Sequence, residues 1–224
     1  MDREDGALLS RWIPVVALAE LAGFALPAVV GAGTVDAPVA VSFPALLAAG
    51  ALEGAVLGAG QAGVLRRRLP GLSVSRWVGL TAGAATAAYA LGLMPSATAP
   101  VTAGWPAVLR GLLLGVVGVL VLVSIGGAQW LELRRHVDHA ARWVGVTALG
   151  WLLGLATFLA VATPLWRPGQ SMAVTVLVGL GAGALMALVM ATVTGIGLVR
   201  LLPGGTIAPP PPGPGTPVGG GRAG

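Results

Sequence analysis

Cysteine is absent from all 224 residues, lysine is absent too, and only 9% of the chain is charged. Without cysteine there can be no disulfide, no thiolate metal site and no cysteine nucleophile. The only two histidines, His136 and His139, lie outside the long apolar runs. No imidazole is therefore placed at membrane depth to activate a serine, which excludes an intramembrane Ser–His hydrolase. There is no phosphate-binding P-loop, so hydrolysis of a nucleotide by a Walker mechanism is excluded as well.

What the chain has instead is apolar surface. At 56% hydrophobic residues it cannot cover its exterior with polar groups, and its natural solvent is a lipid bilayer. All 13 basic residues are arginine, and that bias, with so much Ala, Gly and Val, is of the kind a GC-rich bacterial genome imposes. The formal charge of +5 does not point to nucleic acid, because the arginines sit at the ends of apolar runs and form no solvated basic domain.

Six runs are long enough to cross roughly 30 Å of hydrocarbon as helices, near 12–30, 44–65, 77–94, 106–131, 143–162 and 172–202. Turn residues separate them: Pro38 and Pro44, Pro70-Gly71, Pro95 and Pro100, Trp105-Pro106, Pro164, and Pro168-Gly169. A lipid-exposed span must satisfy its own backbone hydrogen bonds, and the runs lack the alternation of barrel strands, so the expected fold is all-α. The first run contains Glu20, has Pro14 near its start and opens like two later runs, so it reads as a retained span and not a cleaved signal peptide.

Placing alternate loops on alternate sides puts Arg3, Arg11, Arg66, Arg67, Arg68, Arg76, Arg134, Arg135, Arg142, Arg200 and Arg222 on one face, and only Arg110 and Arg167 on the other. By the positive-inside rule both termini are expected in the cytoplasm, in a bacterial inner membrane. Residues 1–202 form the expected six-helix transmembrane domain, and the Pro/Gly-rich stretch 203–224 an expected disordered cytoplasmic tail.

The runs also repeat. Arg11-Trp12, Arg76-Trp77 and Arg142-Trp143 fall 65 and 66 residues apart, and residues 48–70 align without gaps on 181–203, matching Gly50 with Gly183, Arg67 with Arg200 and Pro70 with Pro203. The expected plan is three tandem two-helix units at about 11–70, 76–138 and 142–203. A two-helix unit returns to its starting side, so successive copies insert in the same sense and relate by a pseudo-threefold axis along the membrane normal. Mitochondrial carriers share that geometry, but their acidic-basic signature after a kinking proline is missing here.

The motif G-x3-G-x2-Q-x3-L-R-R followed by R-W-V is carried by Gly54, Gly58, Gln61, Leu65, Arg66, Arg67 and Arg76-Trp77-Val78. In this the chain resembles uncharacterised bacterial, actinobacterial-type polytopic membrane proteins over about residues 48–162, with a degenerate third copy in which Thr194 replaces the glutamine. The resemblance implies a membrane fold and no particular activity.

Two acids lie inside the expected spans. Keeping an ionised carboxylate there costs about 2.5–3.5 kcal/mol, so something must offset it. Counted at about 1.5 Å per residue, Glu20 is roughly 12 Å and Glu53 roughly 18 Å from the arginine-rich ends of consecutive helices, close enough in depth to share a pocket. The functional reading is a site for protons or a cation; the structural one is a hydrogen bond between helices. Gln61 and Gln129, one turn before their arginine clusters, are expected to bridge helices at about 0.6–2 kcal/mol each. Small-x3-small pairs at Gly50, Gly54 and Gly58, Gly79 and Gly83, Gly111 and Gly115, Gly150 and Gly154, and Gly179 and Gly183 are expected to let helices pack closely. Trp12, Trp77, Trp143, Trp105 and Trp166 are expected as interfacial belt anchors. Arg66, Arg67, Arg68, Arg134 and Arg135 are candidates for lipid head groups, at about 1 kcal/mol per charge. His136 and His139, with Asp138 between them and Glu132 a turn earlier, are weak metal candidates and read mainly as a solvated loop.

These features point to a small non-enzymatic membrane protein, a transporter or channel-like module whose Glu20 and Glu53 handle protons or a cation. The alternative is a structural or lipid-interacting scaffold. A lipid-modifying enzyme has less support, since no second catalytic group accompanies the acids. No cofactor is expected; membrane lipids are the expected partners, and self-association is left open.

Overall fold

The computed structural model describes residues 3–202. The expected tail at 203–224, with Pro203 and Arg222, lies outside the described residues. Among the described residues every element is helical: α1 (Arg3–Gly33), α2 (Val39–Leu65), α3 (Val74–Ala97), the single turn α4 (Ala99–Thr102), α5 (Ala107–Leu133), α6 (Arg142–Leu165) and α7 (Met172–Leu201). Six of them, all but α4, are long and apolar enough to span a membrane, so the chain is a multi-pass membrane protein. They run 24 to 31 residues, or about 36–46 Å, longer than the hydrocarbon alone requires.

Local chemistry sets the ends. α1 starts before its apolar run does, because Glu4 and Asp5 occupy the first turn, where carboxylates complement the helix dipole. The hydroxyls of Ser73 and Ser171 accept from the backbone N–H three residues on, capping α3 and α7. α2 and α5 begin directly after Pro38 and Pro106, whose fixed φ suits a helix entry.

Each long helix packs on its chain neighbours, with α3 passing to α5 across the short α4 turn, and α1 packs on α7. The six spans thus make a closed ring in which α1, α3 and α6 begin, and α2, α5 and α7 end, at one arginine-rich end. Glycines set two of the tightest seams. A Cβ at Gly54 would come within 2.6 Å of the Ala85 Cβ and 2.8 Å of the Thr81 carbonyl, and one at Gly50 would collide with the Tyr89 ring, so α2 lies flush on α3. Gly150 and Gly154 let α6 approach Met186, Met190 and Thr194 of α7. Gly79, Gly83, Gly111 and Gly115 have nothing within 4 Å, so those four expected seams are not helix contacts. Packing on a neighbour needs the right face as well as the right spacing, and these four face away.

The apolar core gathers in the arginine-rich half, around Trp12, Leu57, Leu65, Trp77, Leu133, Trp143, Met190 and Leu198. At the far end the ring loosens. Residues 107–116 of α5 include none that is buried.

Candidate functional site

Inside the arginine-rich half lies one polar layer in an apolar surround. Trp12, Trp77 and Trp143 are fully buried, and each indole N–H donates to a neighbouring helix. Trp77 Nε1 donates to Gln61 Oε1 at 3.2 Å, Trp143 Nε1 to Gln129 Oε1 at 2.8 Å, and Trp12 Nε1 to Thr194 Oγ1 at 3.1 Å. Gln129 Nε2 in turn donates to Gln61 Oε1 at 2.7 Å and to Thr81 Oγ1 at 3.0 Å. The Trp12 and Trp143 rings meet edge to face with centroids 6.0 Å apart, and Trp77 lies 6.5 Å from Trp143. All six spans contribute to this layer.

The expectation of interfacial anchors is therefore corrected for Trp12, Trp77 and Trp143: they are core residues, whereas Trp105 and Trp166 are exposed. An indole serves equally at a lipid interface and in a core where its N–H finds an acceptor. Here Gln61, Gln129 and Thr194 supply the acceptors, and the rings pack on one another and on Leu57, Leu65, Leu133 and Leu198.

Next along the axis toward the far end is the acid pair. Glu20 of α1 and Glu53 of α2 are both buried and line one cavity. Close approach is possible because α1 presents Gly23 to the Glu53 backbone, where a Cβ would come within 3.1 Å. Glu53 Oε2 accepts from the Tyr89 hydroxyl at 2.6 Å. Neither oxygen of Glu20 has a hydrogen-bond donor among the described residues. Both acids border a cavity of about 290 Å³ whose lining draws on all six spans, including Phe24, Tyr89, Ile125, Trp151 and Met186. Leu57 marks its end toward the tryptophan layer, and Leu93 and Val121 its end away from it. Among the described residues that line this cavity none is basic.

Tyr89, the single tyrosine of the chain, is the site residue that sequence reasoning missed. Its signal was a lone phenol at membrane depth on the helix that follows Glu53, the kind of group that seeks a buried acceptor.

The surface candidates separate into different roles. Arg66, Arg67, Arg134 and Arg135 are exposed at the arginine-rich end, with Arg134 over the Trp130 ring at 4.8 Å, while Arg68 pairs with Glu4 at 2.7 Å. Glu132 and His136 are not in a solvated loop. Glu132 is buried at the end of α5, accepts from the Ser73 backbone N–H at 3.0 Å, and lies 3.4 Å from Arg76 Nε and 3.2 Å from His136 Nε2, tying the α2–α3 turn to α5. His139 is exposed, with a left-handed φ of 56°. Among the described residues no three His, Cys, Asp or Glu side chains converge as metal ligands.

Comparison of the chain with protein-family models, with curated proteins and with solved structures finds no match.

Proposed function

We propose that this protein is a small membrane carrier in which Glu20 and Glu53 bind and release a proton or a cation, and that it is not an enzyme. One observation carries the reading: two buried acids meet in a cavity on the axis of the bundle, and one of them has no donor of its own. A tryptophan–amide layer that joins all six spans on the arginine-rich side of that cavity fits one state of an alternating-access cycle, in which that layer is the gate.

The ring is a pseudo-threefold assembly of three two-helix units. Support comes from the hydrogen bonds, in which the tryptophan opening each unit donates to the second helix of the unit before it, around to Trp12 on Thr194. The arginine-rich end faces the cytoplasm of a bacterial cell, as the arginine distribution favours. Reporter fusions after Pro70 and after His139 test this, and a periplasmic signal from either breaks the orientation.

The carrier reading is tested in proteoliposomes holding a pH-sensitive dye. Glutamine keeps the hydrogen-bonding capacity of an acid and loses its charge change, so Glu53→Gln is expected to abolish pH-dependent flux while leaving thermal stability nearly unchanged. Glu20→Gln is expected to do the same. Glu53→Leu would also destabilise, because the Tyr89 hydroxyl loses its acceptor. The scaffold reading, with the arginines gripping lipid head groups, has the tryptophan–amide layer in its favour as helix-to-helix glue. Flux that survives both glutamine variants, or no flux from the native protein across a panel of ions, would decide for the scaffold.

A further inference from the structure

The cavity beyond the acids has one polar corner and otherwise apolar walls. The side-chain oxygens on its lining belong to Glu20, Glu53 and Tyr89; the remainder is hydrocarbon and aromatic ring. A calcium ion takes 6–8 oxygen ligands and magnesium a near-octahedral set; two carboxylates and one phenol fill only part of either shell, and water would have to complete it against apolar walls. A cation that carries its own hydrocarbon has the reverse requirement. Its head needs negative charge and ring faces within about 6 Å, and its body needs apolar wall. Phe24, Tyr89 and Trp151 bring three rings from α1, α3 and α6 to the same cavity as the acid pair. At about 290 Å³ the space lies near the lower edge of the roughly 300–1,000 Å³ typical of small-molecule sites, which suits a single-ring or short-chain amine.

We propose that this cavity is a binding site for a small lipophilic organic cation, with the ammonium beside Glu20 and Glu53 and the hydrocarbon body among Phe24, Tyr89 and Trp151. The inference rests on the same acid pair as the carrier reading, but it requires binding only, not transport. Access agrees with the ligand class. Residues 107–116 of α5 include none that is buried, and Val121 and Ile125 further along the same helix line the cavity. Entry past this thinly packed stretch of α5 would take a cation already dissolved in the lipid to the acids without passing through water.

The test is isothermal titration of the purified full chain in detergent with benzyltrimethylammonium chloride, beside titrations with sodium and calcium chloride. Saturable one-to-one binding of the organic cation is expected, with at least a tenfold loss in Glu53→Gln and in Glu20→Gln, each checked for unchanged thermal unfolding. Trp151→Leu should weaken binding without touching either acid, and Leu112→Ala, on exposed α5 surface, should leave it as in the native protein. No saturable binding, binding that both glutamine variants retain, or tighter binding of sodium or calcium than of the organic cation would overturn the site. Binding without flux in the dye-loaded vesicles upholds the site and sinks the carrier. Flux without binding overturns the site and leaves the carrier standing.

Discussion

The two halves of this bundle solve opposite problems with the same six helices. In the arginine-rich half the spans are drawn together by a layer in which three indoles, two carboxamides and two threonine hydroxyls hydrogen-bond one another. In the far half no comparable polar bond joins α5 to its neighbours among the described residues, and lipid faces side chains such as Val108, Leu112 and Val116. Hydrocarbon tails solvate leucine as well as another helix does, so apolar side chains alone do not hold helices together in a membrane. Polar partners and close glycine contacts do, and the half that has them is closed.

Substitutions that break the layer are expected to cost the most. Trp143→Ala removes the ring that touches both other tryptophans and the donor to Gln129, and should lower stability by about 3–5 kcal/mol, read from thermal unfolding in detergent. A loss no larger than that of a lipid-facing leucine would mean the layer does not hold the half closed. Gln129→Leu severs three hydrogen bonds at about 0.6 kcal/mol each, roughly 2 kcal/mol together. Smaller effects sharpen the contrast along a single helix. Gly126→Ala, where a Cβ would come within 3.0 Å of Val144 Cα and Thr147 Cβ, should cost about 1–2 kcal/mol as α5 is pushed off α6. Gly115→Ala, eleven positions earlier with nothing within 4 Å, should be neutral or gain up to about 1 kcal/mol in helix propensity. Equal effects at the two glycines would erase the distinction between the halves.

Much of this was legible in the sequence, and what was not has one physical source. Hydropathy and turn residues gave the six spans, because lipid leaves a spanning segment few backbone options. Depth could be counted along each helix, which put Glu20 and Glu53 at compatible levels. Rotation about the helix axis could not be counted, since nearly every face is apolar and the contrast between buried and lipid-facing residues is weak. Trp12, Trp77 and Trp143, expected as interfacial anchors from their depth, turn inward and are buried, and Gly79 and Gly115, expected as seams, turn outward and are exposed. The same gap hid Tyr89, whose partner sits on another helix. Glu132 escaped for a different reason: one residue inside the end of α5, it reads as loop by charge and is buried by the turn that folds over it.

The contact between α1 and α7 closes the ring, and it joins two spans far apart in chain order. The bond from Trp12 to Thr194 links residues 182 positions apart. During synthesis the Trp12 indole must wait in the bilayer without its Thr194 acceptor until α7 has inserted. A span in that position has to tolerate lipid on the face that α7 later covers, and closure of the ring comes after the spans between them are in place.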